Sequence, residues 1–241
     1  MSKIPAYAKT YETIKKEILD GEYSVGDFLP PEPELEIRFG VSRTTIRRAV
    51  DLLNRDGLVR AMQGRGTEVL DYKTKQNLNL VTSISETLRR KGFEVVSKNM
   101  HIDAVEATPS LAKNFAINVG DPLVRIQRIQ LADGMPVAIM RNFLLPDMVS
   151  NIAQYENKFT SLYQFLEEIY SINIDSATDS IISKCADFGE ATMLNVSVGS
   201  AILYIRRVCF SKGKPVCAGR LSVVGEKYEF DVNMIGRFKD V

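Results

Sequence analysis

The sequence predicts an α+β protein in two parts: a small helical domain closed by a β-hairpin, then a larger α/β domain built on a mostly antiparallel sheet. Three observations carry this. Apolar residues recur at helical spacing in three early segments, and two short strand-like runs follow them. Residues 116–144 return, at a constant offset of 79, as residues 195–223. The formal net charge is only +1, yet residues 12–37 carry eight acids against Lys15 and Lys16, while residues 38–66 carry seven arginines against Asp51 and Asp56. A chain so nearly neutral overall still offers one local basic surface.

The 241 residues are 45% hydrophobic and 25% charged, which fits globular domains and excludes a disordered chain. No apolar run reaches about 18 residues, and residues 1–10 lack the apolar core of a secretory signal, so a cytoplasmic protein with no membrane association is expected. Cys185, Cys209 and Cys217 then read as reduced, buried, small apolar residues. His101 has no second ligand at metal spacing, and there is neither a GxxxxGK[ST] nor a GxGxxG string, so neither metal nor cofactor is expected.

In the first part, Tyr7, Tyr11, Ile14 and Ile18 mark helix one, with Pro5 before it and Gly21 after it. Helix two starts near Glu32, with acids in its first turn, carries Leu35 and Phe39, and stops at Gly40. Ser42 caps helix three, whose apolar face is Ile46, Val50 and Leu53, with Ala49 beside it. "LVRAMQGRGTEVLD" reads as two strands around a turn at Gln63–Gly66. Helices two and three stand about three residues apart, so the order is that of a winged helix-turn-helix. Such a domain offers the start of its third helix to the major groove. Ser42, Thr44 and Thr45 suit phosphates, Arg43 and Arg47 share the face opposite Ile46, and Arg48 follows. With Glu32 and the wing residues Gly64, Arg65 and Gly66 they form the candidate surface for double-stranded DNA. The competing reading is a solvated basic helix face; the coincidence of the arginines with helix-turn-helix spacing argues against it.

The string "GEYSVGDFLPPEPELEIRFGVSRTTIRRAVDLLNRDGLVRAMQGRGTEV" resembles the GntR family of bacterial transcription regulators: a G-x-x-x-x-G-x-x-L-P turn, an E-x-E-L helix, V-S-R-x-T, and a G-R-G-T wing. One departure is Pro33, where the family pattern usually places a basic residue.

Residues 71–80 are polar and aperiodic and are expected to link residues 1–70 to residues 81–241. "SISETLRRKG" reads as a short helix ending at Gly92. The repeat then pairs Gly120 with Gly199, Arg128 with Arg207, Gly134 with Gly213, Pro136 with Pro215, and Arg141 with Arg220. Each copy reads as helix, strand, glycine-containing turn, strand. Two copies predict an antiparallel sheet of six or more strands with internal two-fold symmetry. "FTSLYQFLEEIYS" between them is an amphipathic helix.

This half resembles the UTRA effector-binding domain of HutC-like GntR regulators, with a chorismate-lyase-like fold, on "RIQRIQLADGMPVAI", "TSLYQFLEEIYSINI" and "GKPVCAGRLSV". The resemblance implies a cytoplasmic homodimer on a palindromic operator, a repressor controlled by a small, anionic metabolite such as a sugar phosphate. It implies Ser83, Arg128, Ser161 and Tyr163 as anion-binding residues, with Gln130 and Met140 where relatives carry a second arginine and an acid. Arg207, Arg141 and Arg220 are expected to serve the fold. Two other functions compete: a constitutive dimeric DNA-binding protein, and a chorismate-lyase-like enzyme using Glu106, Arg128 and Arg220, for which no paired carboxylate or nucleophile–base pair is legible.

Overall fold

The computed structural model describes residues 5–71 and 73–234 and divides into two compact units, Met1–Tyr72 and Lys73–Val241. The ends of the expected domains, residues 1–4 and 235–241, and Tyr72 in the expected linker lie outside the described residues.

The smaller unit is α1 (Ala6–Leu19), α2 (Glu32–Phe39), α3 (Arg43–Arg55), and the antiparallel pair β1 (Val59–Met62) and β2 (Gly66–Val69). Its core joins Ile14, Ile18, Leu35, Ile46, Leu53, Leu58, Val59 and Val69. Burying each such side chain stabilises the fold by about 1.5–3 kcal/mol. On α3 the fully buried positions are Ile46, Ala49 and Leu53, and Val50 is half-buried at the edge. Pro33 sits in the first turn of α2, where no amide is needed, so the helix forms despite it. Gly40 ends that helix in the left-handed region, φ 62°, and lets the chain turn directly into α3.

The larger unit carries a six-stranded sheet in the order β4-β5-β6-β9-β8-β7, all neighbours antiparallel. The strands are β4 (Val95–Glu106), β5 (Pro122–Ala132), β6 (Met135–Leu144), β7 (Ser176–Cys185), β8 (Ala201–Ser211) and β9 (Lys214–Val224). The repeat is structural. Helix α5 (Pro109–Phe115) and helix α7 (Phe188–Leu194) start and stop at equivalent residues, as do β5 and β8. Asp133–Gly134 (φ 47° and 77°) and Lys212–Gly213 (φ 50° and 73°) make the two hairpin tips with positive φ at both central residues, the geometry that matches strand twist. At the centre Arg141 on β6 pairs directly with its own repeat mate, Arg220 on β9, so the internal two-fold passes between them. Helices α4 (Ile84–Arg90) and α6 (Leu162–Tyr170) contribute to the cores on one face of the sheet. Helices α5 and α7 pack on the other, over β9 and β6 respectively.

Two expectations change. The segment expected to be a linker contains strand β3 (Thr74–Asn77), which pairs in parallel with β10 (Tyr228–Asp231). Thr74 and Gln76 point inward while Lys75 and Asn77 face solvent. The alternation is that of a strand, but its buried positions are polar, and the Gln76 amide is satisfied: Gln76 Nε2 donates to Thr82 O at 2.9 Å, and Tyr228 Oη donates to Gln76 Oε1 at 2.7 Å. Hydropathy cannot see such a strand. Of the three thiols, Cys209 and Cys217 are buried and face each other across β8 and β9, whereas Cys185, expected to be buried, is exposed at the end of β7.

Candidate functional site

The surface at the start of α3 is built by its cap. Ser42 Oγ accepts from the Thr45 amide at 3.4 Å and lies 3.0 Å from Thr45 Oγ1, so both hydroxyls are engaged in the helix start, while Thr44 is exposed. Glu32, in the first turn of α2, holds both leading arginines. Arg43 Nε donates to its Oε2 at 2.7 Å and Arg47 Nε to its Oε1 at 3.0 Å. These contacts, Arg43 first, keep the Glu32 carboxyl below the usual range. One carboxylate thus offsets the repulsion of two guanidiniums and aligns them on one exposed face. Arg48 points elsewhere: its guanidinium lies 3.9 Å from the centre of the Tyr7 ring. At the wing, Gly64 and Gly66 have φ 74° and 113°, and Arg65 between them lies 5.5 Å from the Phe28 ring. A Cβ at Gly66 would come within 3.4 Å of that ring, so the second glycine also leaves room for Phe28.

In the larger unit a small cavity, about 10 Å³, opens among Ser83, Ile84, Arg128, Met140, Asn142, Leu162, Tyr163, Arg207, Cys209, Gly219 and Leu221. Arg128 is 1% exposed. Its Nη1 donates to Asn142 Oδ1 at 3.0 Å, its Nε has no hydrogen-bond partner, and no carboxylate pairs with it among the described residues. Burial pushes its pKa down to about 10. The repeat mate Arg207 faces the same cavity from β8 but is paired in a fork with Asp179 at 2.7 and 2.5 Å, and also donates to Thr82 O at 2.7 Å and to Tyr163 Oη at 3.4 Å. Burial works against its charge, but Asp179 more than compensates, and its pKa lies above the ordinary value. The residue one repeat before Asp179 is Met100, buried beside the bulge in β4. That single difference leaves Arg128 without a counter-charge. The Tyr163 phenol, raised well above its ordinary pKa by burial, stays protonated 3.1 Å from Cys209 Sγ.

Of the six residues named from the sequence, the cavity gathers Ser83, Arg128, Met140 and Tyr163. Ser83 caps α4 in a reciprocal box with Glu86. Ser161 instead caps α6 and lines an adjoining outer groove, because its hydroxyl is directed to Gln164 N and Glu86. Gln130 lies outside the cavity, donating to Val96 O at 2.9 Å with its buried Oε1 unpartnered. Sequence reasoning missed Asn142 and Gly219 and assigned Arg207 to the fold alone. The repeat held a signal for the glycine: its mate is the large Met140. A Cβ at Gly219 would stand 3.0 Å from Leu221 Cδ1 and 3.5 Å from Asn142 Nδ2, inside the cavity wall. Gly219→Ala is expected to cost about 1–3 kcal/mol by overpacking and to abolish ligand-induced thermal stabilisation; an unchanged ligand-induced shift in melting temperature would show that the cavity is not where ligand sits.

Comparison with known proteins decides the family. The UTRA domain profile matches residues 90–229, and that of the bacterial regulatory proteins, gntR family, matches residues 6–69. The chain is a GntR-family regulator with a UTRA domain. It is 29% identical over 230 residues to the HTH-type transcriptional repressor NagR of Bacillus subtilis (strain 168), covering 95% of this chain and 94% of that one. It is 26% identical over 235 residues to the histidine utilization repressor of Pseudomonas putida, covering 97% and 92%. The crystal structure of PhnF from Mycobacterium smegmatis superposes with a TM-score of 0.66 at 24% identity, over 95% of this chain and 100% of that one, and shares the fold. This GntR regulator is therefore a DNA-binding protein with a small-molecule effector domain, and not an enzyme. Among the described residues no helix is long and apolar enough to cross a membrane.

Proposed function

We propose that this regulator is a cytoplasmic homodimeric repressor that binds a palindromic operator and is released by a small anionic metabolite, a sugar phosphate or another compact organic anion, held against Arg128. One observation carries the effector class. A guanidinium buried to 1% exposure with no carboxylate and an unpartnered Nε is costly unless a ligand supplies the anion. Counting Asp179 against Arg207, the cavity walls carry one net positive charge. Met140, an apolar side chain, selects against a ligand that needs a carboxylate opposite its hydroxyls.

The cavity also suggests how binding is transmitted. Ligand sites usually occupy about 300–1,000 Å³, far more than the 10 Å³ here. An effector must displace a wall, and the movable walls are the starts of α4 and α6. The start of α4 is tied through Thr82 O to Arg207 on one side and to Gln76 on the other. Gln76 lies in β3, the first element after the DNA-binding unit. Displacing α4 would therefore pull on the chain that leads to the DNA-binding unit, and a ligand shifts operator affinity by the difference in its affinity for the two states.

The test is a thermal-shift screen of sugar phosphates, amino acids and organic acids on the full chain, followed by operator titration with each hit and sedimentation without DNA. Anionic hits that weaken operator binding, and a dimer at micromolar concentration, are expected. Hits confined to neutral or cationic compounds would sink the effector assignment, and a monomer would sink the dimer.

A further inference from the structure

The sheet face opposite the effector cavity carries a row of like charges. Side chains alternate along a strand, so Gln127, beside Arg128, points to the other face. From there the paired residues run Gln127 on β5, Arg141 on β6, Arg220 on β9, Arg206 on β8 and Ser180 on β7. Three guanidiniums thus stand side by side on three adjacent strands. Like charges directly opposite one another weaken a sheet. The one other half-buried arginine described on this sheet, Arg125, is neutralised by Asp103. Among the described residues no carboxylate pairs with Arg141, Arg206 or Arg220. Arg141 donates to Gln127 Oε1 at 2.8 Å, and Arg220 reaches only Thr108 Oγ1 at 3.3 Å and the Phe143 ring. Arg206 is exposed and makes no such contact among the described residues.

Arg206 and Arg220 also line a groove of about 260 Å³ between α5 and strands β7, β8 and β9. Its other polar walls are Ser110 and Asn114 on α5 and Thr178 and Ser180 on β7. The internal symmetry supplies a control. One repeat away, Gln127 stands for Arg206, Gly189 for Ser110 and Met193 for Asn114, while Arg220, Thr178 and Ser180 have the polar mates Arg141, Asn99 and His101. The fold makes these positions twice, and the other copy does without a guanidinium at the Arg206 position and without polar groups at the Ser110 and Asn114 positions. Only this groove brings two guanidiniums together with polar side chains from a helix. A second guanidinium and polar helix side chains present on one side only of a symmetric frame point to a ligand, not to folding.

We propose that this groove is a second anion site, taking a small multiply charged anion, a phosphoryl compound or a di- or tricarboxylate, in forked contacts from Arg206 and Arg220, with Arg141 adding to the field. Gly219 lines both this groove and the effector cavity, so one strand's thickness separates the two sites.

The experiment is calorimetric titration of the full chain with pyrophosphate and, separately, citrate at fixed ionic strength. It uses wild type, Arg128→Met to remove the first site, and Arg128→Met combined with Arg206→Gln. Arg206 is chosen because its exposed side chain supports no packing. Arg128→Met should bind one anion per chain, and adding Arg206→Gln should weaken it at least tenfold with the melting temperature unchanged. The stronger of the two probes identifies phosphoryl or carboxylate chemistry. No binding to Arg128→Met, or binding indifferent to Arg206→Gln, would overturn the proposal. So would a shift in sedimentation on Arg206→Gln without a change in anion binding, because the arginine row would then face a second copy of the chain.

Discussion

Arg207→Met is expected to destabilise the larger unit by about 3–5 kcal/mol, whereas Arg128→Met, at the equivalent place one repeat earlier, should leave unliganded stability within about 1 kcal/mol and abolish the effector response. The two arginines look interchangeable in sequence, but their partners differ. Removing Arg207 strands Asp179, 15% exposed at its side chain, and leaves the Thr82 carbonyl with Gln76 as its remaining donor. Breaking a buried pair on one side leaves an uncompensated charge, which is what makes the loss large. Arg128 has no pair to break. Its pKa, lowered to about 10 by burial, marks a charge the fold holds at a cost of roughly 3 kcal/mol at about 1.4 kcal/mol per unit. The penalty is present at every pH below about 10, where the guanidinium is charged in both folded and unfolded chains, and is relieved as the pH rises through that value. Removing the charge recovers that cost, while orphaning Asn142 Oδ1 loses about 1–3 kcal/mol. The two nearly cancel. Thermal unfolding followed by circular dichroism should separate the mutants by about 6–20 °C, at about 2–4 °C per kcal/mol for a unit of this size. Operator titration against effector should show Arg128→Met binding DNA but not responding. Equal losses of stability in both mutants would show that the missing carboxylate is irrelevant.

Arg43→Ala is expected to lower specific operator affinity by about ten- to a hundredfold per half-site, the worth of a good bidentate base contact, and by the square of that factor on a two-fold operator bound by a dimer. Arg43 is solvent-facing and lies outside the core, so the melting temperature should stay within about 2 °C. Glu32→Gln is the counterpart. It frees Arg43 and Arg47 from their shared carboxylate, so affinity for unrelated DNA at low salt should rise about two- to fivefold, with a steeper salt dependence. Fluorescence anisotropy with operator and scrambled duplexes over a range of salt concentrations reads both effects. Unchanged operator affinity in Arg43→Ala would mean that α3 does not read bases through this residue. A loss of unspecific affinity in Glu32→Gln would mean that the carboxylate organises the arginines for DNA instead of competing with it.

Sequence by itself determined the local architecture of both units, because that architecture is written at short range. The Ile46, Ala49, Leu53 spacing, the Ser42 cap and the left-handed Gly40 fix two helices and their turn within about twenty residues. The repeat at offset 79 fixes a second level, since two copies of helix, strand, turn and strand pair most simply around a shared axis, and Arg141 meets Arg220 there. Tertiary structure alone decided which of two equivalent arginines is neutralised. The answer depends on the residue across from it on another strand, Asp179 in one copy and Met100 beside a bulge in the other. Strand β3 was hidden for the same reason: its buried residues are polar, and the Gln76 amide is satisfied by Tyr228 and Thr82, distant or turned back in the chain. Periodicity reports which face of an element is buried. The charge and hydrogen-bond balance of a buried group is set by partners that only the pairing of distant strands brings into reach.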